Sequence, residues 1–280
     1  MNWARDRRLL ESLMIMGAVV EARDPFTGGH LWRTSEIAKL LAQRAGLGEE
    51  TVFAATVGGW LHDLGKVGIP DAVLLKRGRL DEEEYAVARR HPEIGRAILA
   101  PHPLAGLVVD TVAHHHERWD GDGYPDRLAG EAIPLVARLV AIADAFDAMT
   151  SVRPYRQPLD VPTALGRMKA EGGRQFDPGL LDAFAEIAEA GLLDHIVGHS
   201  GFERPLVLCP HCGPVIALPR SAKAGDLHHC QSCVGEYRLE AEGLTFVATA
   251  TGRPARGGAT PNLAEVDEML KALEGFLRRP

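Results

Sequence analysis

From residue 8 to about residue 190, apolar positions recur at helical spacing, in segments separated by Gly and Pro. The pattern predicts helices over Leu9–Ala22, Thr34–Ala45, Glu50–Leu61, Asp81–Leu99, Leu104–His116, Pro134–Met149, Val161–Glu171 and Pro178–Ala190. Pro134 and Pro178 suit a first helical turn, and Asp81 is placed to cap one. No alternating run of strand type interrupts this region, so it reads as an all-helical domain.

After Gly191 the texture changes. Short β-type runs, Pro205–Leu208, Pro214–Leu218, Glu236–Leu239 and Leu244–Ala248, surround the cysteines, and Tyr237, Leu239, Leu244 and Phe246 alternate with polar neighbours about Glu242-Gly243. The stretch Thr249–Pro261 is rich in Gly, Pro and Thr and predicts a linker. Leu263, Val266, Met269, Leu270, Leu273, Phe276 and Leu277 then restore helical spacing. The division expected is a helical domain over 1–198, a β module over 199–250, a linker over 251–262 and an amphipathic helix over 263–280. That helix needs a partner for its apolar face, either its own domain or a second copy of the chain in a homodimer.

Composition narrows the classes. An apolar content of 46% in 280 residues supports a substantial core, and a formal net charge of −7 argues against a general nucleic-acid binder. No run of 18 apolar residues is present, so no membrane span is expected. Arg5, Arg7 and Arg8 ahead of Leu13–Val20 imitate a signal peptide, but Glu11 and Ser12 interrupt the approach and Glu21-Ala22-Arg23 replaces a small-residue cleavage site. The expected location is the cytoplasm.

The chemistry collects at helix ends. His62-Asp63 stands where the run Val52 to Leu61 is about to be stopped by Gly65, so an imidazole and a carboxylate leave one helix end side by side. His30 follows Thr27-Gly28-Gly29, His91 opens His91-Pro92-Glu93, and His114-His115-His116-Glu117 precedes Asp120-Gly121-Asp122-Gly123-Tyr124-Pro125. Asp144 lies among Val140, Ala141, Ile142, Ala143 and Ala145, which predict burial, and a buried carboxylate must be paired or coordinate a metal. Each residue alone is more simply a surface or structural one. Together they point to a metal centre.

In this order, HDLGKVGIPDAVLLKRGRL, HPEIG, HHERWDGDGYP and ADAFDAMTSVRPYR resemble the HD-GYP family, HD-domain phosphohydrolases that cleave the bacterial second messenger cyclic di-GMP. The resemblance covers about residues 15 to 190. It implies a mainly α fold, an HD-domain helical bundle, with two divalent metal ions, iron or manganese. His30, His62, Asp63 and Asp144 would hold one ion, and Asp63 would bridge to a second held by His91, His115 and His116. His114 is left out, because the family pattern is HHE. A water shared by the two ions would attack phosphorus, giving 5′-pGpG, or GMP if a second cleavage follows, with Asp63 and Lys66 as the catalytic pair. Lys66, Gly123, Tyr124, Pro125, Arg153 and Arg156 would bind substrate, the two arginines holding phosphate bidentately. Arg127 departs from the family, which has glycine after GYPD. Relatives with a third ion carry a glutamate one turn before the first histidine; here that place is Phe26, so two ions are expected.

Cys209-Pro-His-Cys212 and Cys230-Gln-Ser-Cys233, seventeen residues apart, have zinc-ribbon spacing and predict one structural zinc on four thiolates. A redox pair fits less well, since neither motif begins a βα unit. So small a module would need its metal to fold. Two other functions stand beside hydrolysis of cyclic di-GMP. One is an adaptor that binds the nucleotide, a diguanylate cyclase or other signalling proteins without turnover. The other is the same hydrolysis of another cyclic dinucleotide.

Overall fold

The computed structural model describes residues 3–24, 28–76, 78–151, 158–199, 207–211, 215–216, 218, 222–230, 235–242, 245–254 and 263–277. Within them the helices are α1 (Trp3–Arg23), α2 (His30–Arg44), α3 (Glu49–Leu61), α4 (Asp71–Leu74), α5 (Glu82–Ala88), α6 (His91–Leu99), α7 (Ala105–His114), α8 (Leu135–Thr150), α9 (Val161–Lys169), α10 (Pro178–Glu189) and α11 (Leu263–Leu277). Turns of 3₁₀ helix occupy Leu64–Gly68 and Gly130–Ala132. The strands are β1 (Val207–Leu208), β2 (Val215–Ile216), β3 (Leu227–His229), β4 (Gly235–Glu242) and β5 (Thr245–Pro254). The fold is mainly α with a small β part, as the spacing predicts.

One helical core holds the site in place. α2 packs on α3, and both pack on α8, through Leu31, Trp32, Ile37, Leu41, Val57, Trp60, Leu139, Val140, Ile142 and Phe146, all buried. Trp60 is fully buried and still donates its indole N–H to Met14 O at 2.9 Å, so α1 is tied to α3 by a polar bond inside an apolar contact.

The β module has its own core, made of Val207, Cys209, Ile216, Leu218, Cys230, Tyr237 and Leu239. β1 pairs antiparallel with β2, and β3, β4 and β5 form an antiparallel sheet in that order. β5 runs to Pro254, through the first part of the stretch expected as linker. Its Thr-rich, β-branched composition suffices for a strand once β4 supplies a partner.

One expectation about helices changes, and an open one is resolved. The single helix over Asp81–Leu99 is two. Asp81 caps α5 as expected, its carboxylate accepting from Glu84 N–H at 2.9 Å while Glu84 reaches back to Asp81 N–H at 2.9 Å. The chain then turns at Arg89-Arg90 and restarts at His91, where Pro92 lies in a first turn that needs no N–H from it. The terminal helix also finds its partner at home. Val266, Met269, Leu270 and Leu273 of α11 are buried in the main core against α1 and α3, and Arg7 meets Glu274 at 3.3 Å. Of the two partners expected for this face, the chain's own helical core is the one that covers these four residues. At about 1.5–3 kcal/mol per fully buried side chain, this contact is large against a typical net stability of about 5–15 kcal/mol.

Candidate metal centre

Five helices converge on one point, and each presents its ligand-type residue from a fixed backbone position. His30 opens α2 directly after Gly29, whose φ of 72° no L-residue adopts cheaply. His62 closes α3, and Asp63 begins the 3₁₀ turn. His91 opens α6, His115 closes α7 with His116 next, and Asp144 lies within α8. Gly65 lets the 3₁₀ turn abut α6: a Cβ there would fall 1.7 Å from His91 O and 2.6 Å from Gly95 N. That close approach is what sets Asp63 beside His91.

The imidazoles are held from behind. His62 Nδ1 lies 2.8 Å from Gly59 O, His91 Nδ1 2.8 Å from Ala88 O, and His115 Nδ1 3.0 Å from Val112 O. A carbonyl only accepts, so Nδ1 carries the proton in each ring and Nε2 keeps its lone pair. Yet His91 Nε2 and His115 Nε2 face each other at 3.2 Å. Burial pushes the pKa of both rings down, that of His115 well below the usual imidazole range, so no proton is shared between them near neutrality. Two buried lone pairs so close call for a cation. Burial likewise lowers His116, to about 3.

The donor atoms form two groups, His91, His115 and His116 in one and His30, His62 and Asp144 in the other, each with all its donors within 4.8 Å of one another. Asp63 stands between them. Its Oδ2 lies 3.4 Å from His62 Nε2 and 3.6 Å from His30 Nε2, while its Oδ1 lies 3.4 Å from His91 Nε2. Asp144 Oδ1 is 3.5 Å from His30 Nε2 and 3.8 Å from His62 Nε2. Burial opposes charge on both carboxylates. For Asp63 it is outweighed by Lys66 and His62, and for Asp144 by His62 and His30, so both are held below the usual carboxylate range. Lys66 Nζ is 2.6 Å from Asp63 Oδ2 and 3.8 Å from Asp24 Oδ2.

The loop after α7 closes over the second group. The Tyr124 ring stacks on His116, with centroids 4.8 Å apart and planes 25° from parallel, and Tyr124 N–H reaches His116 O at 3.3 Å. Burial raises the Tyr124 phenol, which stays protonated. Gly123 is required, because a Cβ would fall 2.3 Å from Arg118 N and 2.5 Å from Glu117 Cα. Pro125 follows Tyr124 through a cis peptide. Arg127 takes a left-handed φ of 55°, which is why glycine suits that place.

His114 points elsewhere, its Nε2 3.0 Å from Asp126 Oδ2. Arg153, Arg156, Cys212, Cys233 and Phe26 lie outside the described residues. Cys209 and Cys230 are both buried in the β module, and Cys209 Sγ is 3.0 Å from the Tyr237 hydroxyl.

Three residues at the site were not singled out in the sequence. Asp147 holds His30 Nδ1 at 2.7 Å and receives Arg33 Nε at 2.5 Å, all three side chains buried. Burial works against a charged His30, but the bonds to Asp147 and Asp63 prevail and raise it to about 9. Arg33 also donates to His199 O at 2.7 Å. Glu117 accepts from Asp126 N–H at 2.7 Å and Leu128 N–H at 3.1 Å, anchoring the Tyr124 loop from beneath. The spacing of Asp144 and Asp147, three apart on a helix with buried Phe146 between them, was the available signal.

Comparison with known proteins agrees with this geometry. Over 180 residues the chain is 46% identical to the cyclic di-GMP phosphodiesterase response regulator RpfG of Xanthomonas campestris, covering 64% of this chain and 48% of that one. It is 38% identical over 181 residues to a cyclic di-GMP phosphodiesterase of Thermotoga maritima, covering 64% and 49%. It is 40% identical over 169 residues to the 3'3'-cGAMP-specific phosphodiesterase 2 of Vibrio cholerae, covering 60% and 32%. The chain thus spans about half or less of the length of these relatives. Residues 15–180, the helices that carry every histidine and aspartate of the centre, match the HD domain model HD_5, and the chain belongs to the HD domain family.

Proposed function

We propose that this chain is a metal-dependent phosphodiesterase that opens cyclic di-GMP to 5′-pGpG and carries it on to GMP. The observation behind this reading is Asp63, whose two oxygens face two separate histidine groups at 3.4 Å each. A carboxylate so placed suits a bridge between two cations, one held with His30, His62 and Asp144, the other with His91, His115 and His116. The donor set, mostly imidazole with two carboxylates, fits iron or manganese better than magnesium, which prefers oxygen. Bound there, such ions would supply an activated water and a clamp on the phosphate oxygens.

The chain's own residues do the rest. The carbonyls behind His62, His91 and His115 turn each Nε2 toward the centre, and Asp147 fixes the orientation of the His30 ring through Nδ1. Lys66, partly exposed beside Asp63, is placed to meet the scissile phosphate and balance charge on the leaving oxygen. The loop from Gly123 to Pro125 bounds the substrate on the His116 side, and Arg153 and Arg156 contribute phosphate contacts by their motif. In the β module, Cys209, Cys212, Cys230 and Cys233 hold one zinc and form a surface for a signalling partner such as a diguanylate cyclase. The compartment is the cytoplasm, where that nucleotide is made.

The names of the Xanthomonas and Thermotoga relatives support cyclic di-GMP, and that of the Vibrio relative favours a second reading, hydrolysis of 3'3'-cGAMP at the same site. Metal analysis of the purified protein, with products identified from both nucleotides, separates these. Binding without turnover by metal-loaded protein would leave the adaptor instead. Asp63→Asn should cost several orders of magnitude in turnover with the fold intact, and hydrolysis retained in a metal-replete variant would overturn the bridging role.

A further inference from the structure

The turn that delivers His91 to the centre also delivers an arginine. Arg89 caps α5, with its N–H on Tyr85 O at 2.9 Å, Arg90 N–H on Val87 O at 3.1 Å and Ile94 N–H on Arg90 O at 3.0 Å, so the backbone is fixed on both sides of the turn. The Arg89 guanidinium carbon lies 4.2 Å from the centroid of the Tyr124 ring and 5.8 Å from that of Tyr85. Tyr124 itself stacks on His116, so one ring contacts both a histidine of the metal centre and this cation.

Attraction to a ring face orients the guanidinium plane without using its N–H donors. Arg23, Arg33, Arg118 and Arg138 each meet a carboxylate, at Asp71, Asp147, Asp120 and Asp177 respectively. Arg89 meets none among the described residues, and its side chain is exposed. An arginine held over aromatic rings and meeting no carboxylate among the described residues is prepared for a bidentate oxyanion.

We propose that Arg89 binds the phosphate of a cyclic dinucleotide that is not being cleaved. This rests on the phosphodiesterase reading above. Such a substrate carries two phosphodiesters on one ring; when one lies against Asp63 and Lys66, the other lies across the ring, away from the metal centre. A cation held over Tyr124, the ring that stacks on His116, is positioned to receive it.

The test compares metal-loaded full-length protein with Arg89→Ala and Arg89→Lys on cyclic di-GMP, cyclic di-AMP and bis(4-nitrophenyl) phosphate, which has a single phosphodiester. For Arg89→Ala, KM should rise about tenfold or more on both cyclic dinucleotides, the scale of a charge-assisted pair, with a much smaller loss on the single phosphodiester. Arg89→Lys, keeping the charge without the fork, should fall between. Equal loss on all three substrates would mean that Arg89 acts only by supporting Tyr124 and His116, and would overturn the proposal. So would an unchanged KM for cyclic di-GMP, or a loss confined to cyclic di-GMP, which would assign a guanine contact instead. Parent protein that neither binds nor cleaves any cyclic dinucleotide would remove the phosphodiesterase reading and this inference with it; parent turnover left unaltered by Arg89→Ala removes this inference alone.

Discussion

Asp147 Oδ2 meets His30 Nδ1 at 2.7 Å, and the same carboxylate receives Arg33 through its Oδ1 at 2.5 Å. One buried anion thus aligns an imidazole of the centre and neutralises a buried cation. Asp147→Asn should weaken metal binding by about 10- to 100-fold, the usual cost of losing a partner behind a ligating histidine. It should also destabilise the protein by about 3–5 kcal/mol, because Arg33 is left buried without its counter-ion. Chelator competition and urea unfolding read the two effects separately. Unchanged metal affinity would reduce Asp147 to a partner of Arg33 alone.

Gly65 offers a sharper geometric test. A methyl group there would overlap His91 O, so Gly65→Ala must push the 3₁₀ turn away from α6. The expected cost is about 1–3 kcal/mol or more, and Asp63 should be the first residue drawn away from His91. Metal content should fall by about one ion per chain while helical circular dichroism persists. Full metal content and parental activity would show that the turn and α6 need not touch.

Arg127 predicts a change of opposite sign. At φ 55° an L-residue carries a steric cost that glycine does not, so Arg127→Gly should raise stability by about 1 kcal/mol. Thermal denaturation checks it, and a variant less stable than the parent would mean that the arginine side chain contributes more than its backbone costs.

For the β module, replacing Cys209 and Cys212 by serine should release one thiolate-bound zinc and unfold the strands, while the helical core, whose buried cluster is separate from theirs among the described residues, remains folded. Zinc release with a chromophoric chelator and amide exchange along the chain are the measurements. Exchange that rose equally in α2, α3 and α8 would show one cooperative unit.

The metal centre should hold two ions and not a third. Phe26 offers no donor where a third-ion glutamate would stand. Nearby, Glu21 is lifted to about 7 by burial and is engaged by Leu31 N–H at 3.3 Å, and Asp24 faces Lys66. Anomalous scattering from crystals of the cysteine-replaced protein should locate two sites; a third at full occupancy beside His30 would refute this.

Much of the centre was legible because its residues stand in sequences that are odd for their surroundings. His62-Asp63 ends an apolar helix, and Asp144 sits in one. Asp147 and Arg33 were not, since on a helix an acid or a base at such a spacing reads as solvated surface until the packing of α2 against α8 is known. The turn between α5 and α6 had a local signal in Pro92, which suits a first turn and not a helix interior, but the apolar residues on either side of it read as one continuous segment. The β strands were half legible, β5 needing its partner before Thr249 to Pro254 could be told from a linker. The place of α11 was open in principle, because an amphipathic stripe states that it will be covered and not by what.

That place has a consequence for synthesis. α1 precedes the rest of the helical core and the β module in chain order, yet it packs against α11, which is made after both. Until the chain has been extended beyond Leu273, the part of the core that α11 covers stays bare, and the nascent helical bundle carries an apolar face exposed to chaperones or to neighbouring chains. Synthesis of the β module therefore falls inside the interval during which the main core is still open, and a pause there would lengthen the time that this face is bare.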